Sequence, residues 1–424
     1  MKNEVIFDGR GIPDIMVVFT PDELGLPAEV KGKAVKEYAI SKYPNTMIGG
    51  RPYSMPYQQP AVNVSHDDAI RLCESKGPGW HLITNDEWAA LAHQSRKNGT
   101  LPRGNTNNGK SHSHPEEIGT TYEDSYGKTL TGSGPVTWNH DHTAEGVADM
   151  CGNVWEHVGG LRFLNGQVQI IPGNGAAAGA DQTADSPEWT AIYTADGDPV
   201  YYNVGDDEIK LQPVEPEDKA WDGVPFVDLE VSRDIDVPEK LIELGLYPAP
   251  GYEGTDYFWL DTDGERCVYR GGYWRDGASA GVFSLNGTNS RSGVSTTVGF
   301  RSALVRYSGD SDNLDHLDDE ATKPDDTQKE GNTPLLPDTL PSLMRLVLAH
   351  QLTVLYKAAG GEDPDSFTRK AYKATDKELQ TAAALSLALS QVNAGVDLYR
   401  SMSEQLKIAT TMTLTIGKEA ADHE

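Results

Sequence analysis

Apolar residues in this chain come in short bursts separated by turn-forming residues, and the spacing within each burst predicts its conformation. The continuous apolar run Ile15-Met-Val-Val-Phe19 reads as a strand. In Ser65-His-Asp-Asp-Ala-Ile-Arg-Leu-Cys73 the apolar positions fall at helical spacing behind a Ser65 N-cap. Thr84-Asn-Asp-Glu-Trp-Ala-Ala-Leu-Ala92 predicts a second helix, with Thr84 and Glu87 forming a capping box. Residues 98–146 are loop-like and rich in Gly, Asn, Thr and His. Residues 161–265 read as an acidic, turn-rich insertion with strand candidates such as Pro199-Val-Tyr-Tyr-Asn-Val204. From 266 to 305 the texture is dense in Gly, aromatic and Ser/Thr residues.

The texture breaks after residue 305. Residues 306–340 are dominated by Asp, Ser, Pro, Thr and Lys and read as a solvated acidic linker. Residues 341–424 read as a helical unit. Leu385, Leu389, Val392, Val396, Tyr399, Met402 and Leu406 follow one another at spacings of three and four. That seam suits packing against Leu343–Leu355 within the chain, and equally a helical hairpin or an oligomer interface. No tandem repeat of about 20–50 residues is visible. The division expected from the sequence is therefore a leading segment 1–45, a main domain 46–305 carrying the 161–265 insertion, the linker and the helical unit.

Length and charge narrow the function. A chain of 424 residues exceeds one average domain of ~100–200 residues. Gly 43 and Pro 25 predict many turns, while 38 % hydrophobic residues still allow a substantial core. Acidic residues outnumber basic ones 64 to 36, for a formal net charge of −28. Such a field repels phosphate backbones and anionic membranes, so nucleic acid and membrane surfaces are not the expected partners. No stretch of about 18 apolar residues predicts a membrane span. The N-terminus lacks the charged-then-apolar pattern of a secretory signal, which points to synthesis in the cytoplasm. Cys73, Cys151 and Cys267 are too few and too scattered for a disulfide framework or a zinc site.

Three ordered segments carry a resemblance. Pro60-Ala-Val-Asn-Val-Ser-His-Asp-Asp-Ala69 is followed by Gly79-Trp-His-Leu-Ile-Thr-Asn-Asp-Glu-Trp88. Gly146-Val-Ala-Asp-Met-Cys-Gly-Asn-Val-Trp-Glu156 comes next, then Arg270-Gly-Gly-Tyr-Trp274, closing with Val298-Gly-Phe-Arg-Ser302. In this order they resemble the C-type-lectin-like fold shared by formylglycine-generating enzymes and the variable proteins of diversity-generating retroelements. The resemblance spans roughly residues 45–305, less the insertion. It implies an α+β domain with little regular secondary structure. Trp80, Trp88, Trp155 and Trp274 are suited to anchor such a fold. Gly271 and Gly272 permit positive φ or close backbone approach. Arg301 is suited to tie loop carbonyls or a carboxylate from inside.

The enzymatic branch of that family resembles a copper-dependent oxidase using two cysteines after the Arg-Gly-Gly motif. Here the matching positions are Asp276 and Gly281, and Cys267 precedes the motif. Without a thiolate that chemistry lacks its soft ligand and nucleophile, so no catalytic residue and no enzyme activity is expected. Another branch uses an iron site with His on a separate helical domain, and no His-rich helix precedes this fold. No nucleophile elbow or phosphate-binding loop occurs either.

The binding branch resembles this chain more closely. Its variable proteins carry a stretch like Arg270-Gly-Gly-Tyr-Trp-Arg-Asp-Gly-Ala-Ser-Ala-Gly-Val-Phe283, then polar variable positions, then Gly-Phe-Arg. Their diversification substitutes template adenines, most often in Asn codons, which never yields Lys, Glu, Gln, Met or Trp. Tyr273, Arg275, Asp276, Ser279, Asn286, Thr288, Asn289, Gly293, Ser295, Thr296 and Thr297 all belong to the reachable set. No Lys, Glu, Gln or Met occurs from Tyr273 to Thr297. These residues are the expected ligand-binding face: Tyr supplies rigid contact area, and Ser, Thr and Asn supply adaptable hydrogen bonds.

The resemblance further implies a protein or glycan receptor as partner, and a phage or prophage product that is virion-associated or a cytoplasmic ligand sensor. The helical unit would trimerise, dock to a virion or recruit a partner. No cofactor is required. A calcium ion is implied at Asp149, the Gly152 and Val154 carbonyls, and Glu156, an oxygen-only set suited to Ca²⁺. His112, His114, His140 and His142 would hold a transition metal if the fold brought them together. The rival classes are a sulfatase-modifying-type oxidase relative, active or degenerate, and a structural virion protein of fixed specificity.

Overall fold

The computed structural model describes residues 1–7 and 12–309. The expected helical unit at 341–424, its apolar seam and all but the first residues of the linker lie outside the described residues.

Two sheets organise the described chain. In the smaller, six-stranded sheet the order is Lys2–Phe7, Pro13–Phe19, Lys33–Ser41, Ser302–Tyr307, Trp80–Leu82, with Glu29–Val30 pairing beside Lys33–Ser41. The apolar run at 15–19 forms the buried second strand, with Val17 and Phe19 in the main core. Residues 1–45 thus do not stand apart. Lys33–Ser41 is hydrogen-bonded to Ser302–Tyr307, with Ala303 opposite Ile40 and Val305 opposite Tyr38. The boundary drawn at residue 45 falls inside this sheet because pairing across more than 250 residues leaves no local mark in the sequence.

In the larger, 11-stranded sheet the order is Trp221–Pro225, Tyr257–Asp261, Gly281–Asn289, Glu265–Gly271, Trp155–Leu164, Gln167–Ile170, Tyr201–Gly205, Glu208–Gln212, Glu230–Val231. Val298–Phe300 pairs in parallel with Trp155–Leu164. Residues from 161 to 265 therefore contribute many of its strands, and Glu208–Gln212 returns against Trp221–Pro225, so the sheet curls. One face of the central strands is core: Phe258, Leu260, Val268 and Leu285 are buried there with Val158 and Phe163.

Both expected helices form. His66–Glu74 starts at Ser65, whose hydroxyl accepts from the Asp68 N–H at 3.2 Å. Asn85–Asn98 has the expected Thr84–Glu87 capping box, and it runs further than the apolar spacing indicated, to a left-handed Gly99. Its last turn, Ser95-Arg-Lys-Asn98, is polar but helix-compatible, and Arg96 and Lys97 suit the negative end of the helix. No helix among the described residues is long and apolar enough to cross a membrane.

Buried tryptophans and arginines lock these layers together. Trp80, Trp88, Trp155 and Trp274 are all buried, and the Trp88 indole N–H donates to the Val282 carbonyl at 2.8 Å. Arg301 holds both oxygens of Glu156, at 2.7 Å for Nε and 2.5 Å for Nη2, and donates to the Ser41 and Ala148 carbonyls. Arg270 donates to Asn85 Oδ1 and to the carbonyls of Leu244 and Gly245. Gly271 and Gly272 take φ values of 95° and 85°, and a Cβ on Gly272 would lie 2.5 Å from that of Ala280.

Candidate binding face

The strand Gly281–Asn289 presents alternate residues to opposite sides of the sheet. Leu285 points into the core, and Asn286 points away from it, between Trp259 on one neighbouring strand and Tyr269 on the other. Tyr269 continues the same row to His157, whose ring it meets edge-on at 4.6 Å. Behind Tyr273, this outer side of the sheet carries an apolar bed of Trp155, Tyr269, Val298 and half-buried Trp259.

The eleven residues singled out from the sequence lie on and around this bed. Arg275 and Thr296 are exposed. Tyr273, Asp276, Ser279, Asn286, Thr288, Asn289, Gly293, Ser295 and Thr297 are half-buried, and none of the eleven is buried. Of the residues interleaved with them, Trp274, Ala280 to Leu285 and Gly287 are buried, while Ala278, Ser290 and Ser292 are exposed. Val294, 60 % exposed between Gly293 and Ser295, belongs with the face and was passed over in the sequence. The signal was present, since Val is itself reachable from an Asn codon. Tyr126, 72 % exposed, stands beside Arg275 at the rim; nothing local in residues 122–128 announces it.

The segment is fastened chiefly through its backbone. The Trp274 carbonyl accepts from the Asn108 N–H at 2.7 Å, and the Arg291 carbonyl from the His66 N–H at 3.1 Å. The Ser295 carbonyl accepts from the Asn63 N–H at 3.0 Å, and that of Thr297 from the Trp155 N–H at 2.9 Å. Side-chain bonds at the candidate positions run mostly within the set. Asn286 Oδ1 accepts from the Thr288 N–H, the Thr288 hydroxyl and Asn289 Nδ2 at 2.8–3.0 Å. The Ser295 and Thr297 hydroxyls lie 2.8 Å apart. Asp276 Oδ2 accepts from the Tyr273 N–H at 2.9 Å, and burial pushes the Asp276 carboxyl up to about 7. Arg275 reaches Asn108 Oδ1 at 3.2 Å and the Tyr126 carbonyl at 3.3 Å rather than Asp276.

Beneath the face two buried histidines stack. His66 and His157 are 5.5 Å apart edge-on, and neither Nδ1 has a hydrogen-bond partner among the described residues. His157 Nε2 meets the Val64 carbonyl at 2.9 Å. Burial lowers the pKa of both, that of His157 to about 4, so both rings are neutral at pH 7.

The residues implied for calcium are used otherwise. Both Glu156 oxygens face the Arg301 guanidinium, which already supplies the positive charge a cation would bring. Asp149 Oδ2 accepts from the Gly132 N–H at 2.6 Å, and burial raises its carboxyl to about 6. Gly152 and Val154 are buried in the same turn. As arranged, this donor set does not fit a calcium ion. The four loop histidines remain separate: His140 bonds Gln94 and the Val147 N–H, His142 the Leu101 carbonyl, His112 Thr106 and His114 Ser113. No group of three or more His, Cys, Asp or Glu suited to a metal occurs among the described residues.

All three cysteines are buried and free. Burial raises the thiol pKa of each, that of Cys267 to about 12, so all are protonated at neutral pH. Asp276 and Gly281, the positions that the resemblance matches to the oxidase cysteine pair, carry no thiol. Gly281 packs against a buried carboxylate, a Cβ there falling 2.0 Å from Asp256 Oδ1.

Residues 30–186 match the family described as "Sulfatase-modifying factor enzyme 1-like domain". The match takes in the Gly79–Trp88 and Gly146–Glu156 motifs, and the sheet-rich fold with few helices is C-type-lectin-like. Among solved structures, Treponema denticola variable protein 1 is similar at 13 % identity and a TM-score of 0.27, covering 71 % of this chain and 98 % of that one. No curated protein matches the sequence.

Proposed function

We propose that this C-type-lectin-like domain, of the sulfatase-modifying-factor type, is a binding scaffold whose 273–297 segment is a diversified ligand-binding face. The observation that carries the reading is how the segment is held. Its main-chain carbonyls are the attachment points, and any amino acid supplies a carbonyl. Its candidate side chains are half-buried or exposed and bond mostly to one another, so they can change without unfastening the scaffold. The residues beneath them are large, buried and fixed in identity by packing. A rigid bed under adaptable polar and aromatic side chains is the physical requirement of a paratope.

The ligand is a protein or glycan receptor, and the chain is a phage or prophage product acting on a virion or as a ligand sensor. A binder also accounts for the cysteines better than a copper oxidase does. Their thiols are buried and protonated, and none stands at 276 or 281, the positions that the resemblance matches to the oxidase pair.

Sequencing the codons for Arg270–Arg301 across a growing population, together with the flanking DNA, tests the proposal. Changes clustered at the eleven positions and Val294, at template adenines and beside a near-copy repeat, are expected. An invariant segment with no repeat nearby would overturn diversification and leave a lectin-like domain of fixed specificity.

A further inference from the structure

Two donors beneath the face lack an acceptor to match them. Trp274 is 4 % exposed, and its indole N–H is buried with no hydrogen-bond partner among the described residues. Lys128 is 6 % exposed and sits over the same ring, its ammonium 4.5 Å from the ring centre. Among the described residues that ammonium has one hydrogen bond, a long one of 3.5 Å to the Thr296 carbonyl. Burial lowers the Lys128 pKa, and no carboxylate acts to raise it. Other buried lysines are answered: Lys76 by Asp14 at 2.8 Å, and Lys42 by the nearby charges of Glu145 and Asp141. Among the described residues, Lys128 is thus a largely buried lysine with no carboxylate beside it, an arrangement that costs stability.

The local backbone packs closely on the Trp274 indole. Gly127 has φ +112°, and a Cβ there would lie 2.5 Å from Trp274 Cδ1, 3.0 Å from Nε1 and 2.8 Å from Asn108 Oδ1. Any side chain at 127 would collide with the N–H edge of the indole, and glycine keeps that edge free of one. Arg275, next in sequence to Trp274, is a second cation here, bonded to Asn108 Oδ1 and the Tyr126 carbonyl and to no carboxylate among the described residues.

We propose that the Trp274 indole N–H and the Lys128 ammonium form a fixed carboxylate anchor at the edge of the binding face, taking an acidic side chain of a protein ligand. Both groups are donors only, and a carboxylate offers two acceptor oxygens to two donors while neutralising the ammonium. Phosphate-rich polymers are repelled by the overall charge of −28. The long contacts above the anchor let Arg275 and Thr296 turn aside as the ligand enters. The anchor takes its location from the binding-face reading and its chemistry from Lys128 and Trp274, two residues outside the varying set. It would give a changing face one constant point of purchase.

The test uses the full chain labelled with ¹⁵N at its 8 tryptophans, with the Trp274 indole resonance assigned through Trp274→Phe. Sodium acetate replaces sodium chloride at constant ionic strength and pH 7. A saturable shift of the Trp274 N–H is expected, with apparent affinity about tenfold weaker in Lys128→Met. Lys128→Gln repeats the measurement should Lys128→Met disturb the other indole resonances. No shift with acetate, or the same saturable shift in both lysine variants, would overturn the anchor. An unresponsive Trp274 in a chain whose codons vary would sink the anchor alone. A responsive one beside invariant codons would sink diversification alone.

Discussion

Arg301 and Thr297 are four residues apart, and the fold holds them by opposite means. Arg301 is fixed through its side chain, which spans Glu156, Ser41 and Ala148 from full burial. No other residue type has the reach, the charge and the planar fork to replace it. Thr297 is fixed through its carbonyl, bonded to the Trp155 N–H, while its hydroxyl bonds only sideways to Ser295. The same contrast separates Arg270, which binds Asn85, Leu244 and Gly245, from Arg275, which lies on the surface. One stretch of chain is thus held by different atoms, side chains at its two ends and main chain along its middle, which under the proposed function leaves the middle side chains to recognition.

The strongest way to break this contrast is at the buried arginine. Arg301→Met leaves the Glu156 carboxylate buried without its partner, and a loss of about 3–5 kcal/mol in urea-unfolding free energy is expected. A loss below about 1 kcal/mol would mean that the knot is not what holds the sheets together.

The histidine stack between the two regions offers a sharper probe. His157 has a folded-state pKa of about 4, depressed by burial, against about 6.5 when unfolded. Between those values the unfolded chain binds a proton that the folded chain refuses. Its contribution to stability is therefore full above pH 6.5 and falls as the pH drops toward 4, by up to about 1.4 kcal/mol per pH unit. Asp149, raised to about 6, acts with the opposite sign, but equally in wild type and in a His157 variant. His157→Phe keeps an aromatic ring against Tyr269 and removes the titration. Its stability relative to wild type should improve as the pH falls from 7 to 5, measured by urea unfolding; parallel curves would contradict a neutral buried His157.

What the sequence made legible was local or anchored by bulk. The Ser65 cap, the Thr84–Glu87 box and the four buried tryptophans each depend on neighbours in the chain or on size alone. The candidate positions were picked out by a codon argument rather than by packing, and all eleven lie outside the buried core. Partners distant in sequence were not. Residues 1–41 join the smaller sheet through Ser302–Tyr307, and the carbonyls that hold Arg270 come from Leu244 and Gly245, within the stretch that reads as a plain insertion. Lys128 escaped notice for the same reason. Its place over Trp274 depends on a left-handed Gly127 pressed against an indole more than 140 residues away.

The most direct measurement replaces the face in one step. Asn286→Ser, Thr288→Ala, Asn289→Asp, Ser295→Tyr, Thr296→Asn and Thr297→Ser together change six side chains and none of the main-chain attachments. The account predicts an unfolding free energy within about 1 kcal/mol of wild type, as for surface substitutions away from specific contacts. A loss approaching that of Arg301→Met would contradict it, and would show that the face is part of what folds the domain.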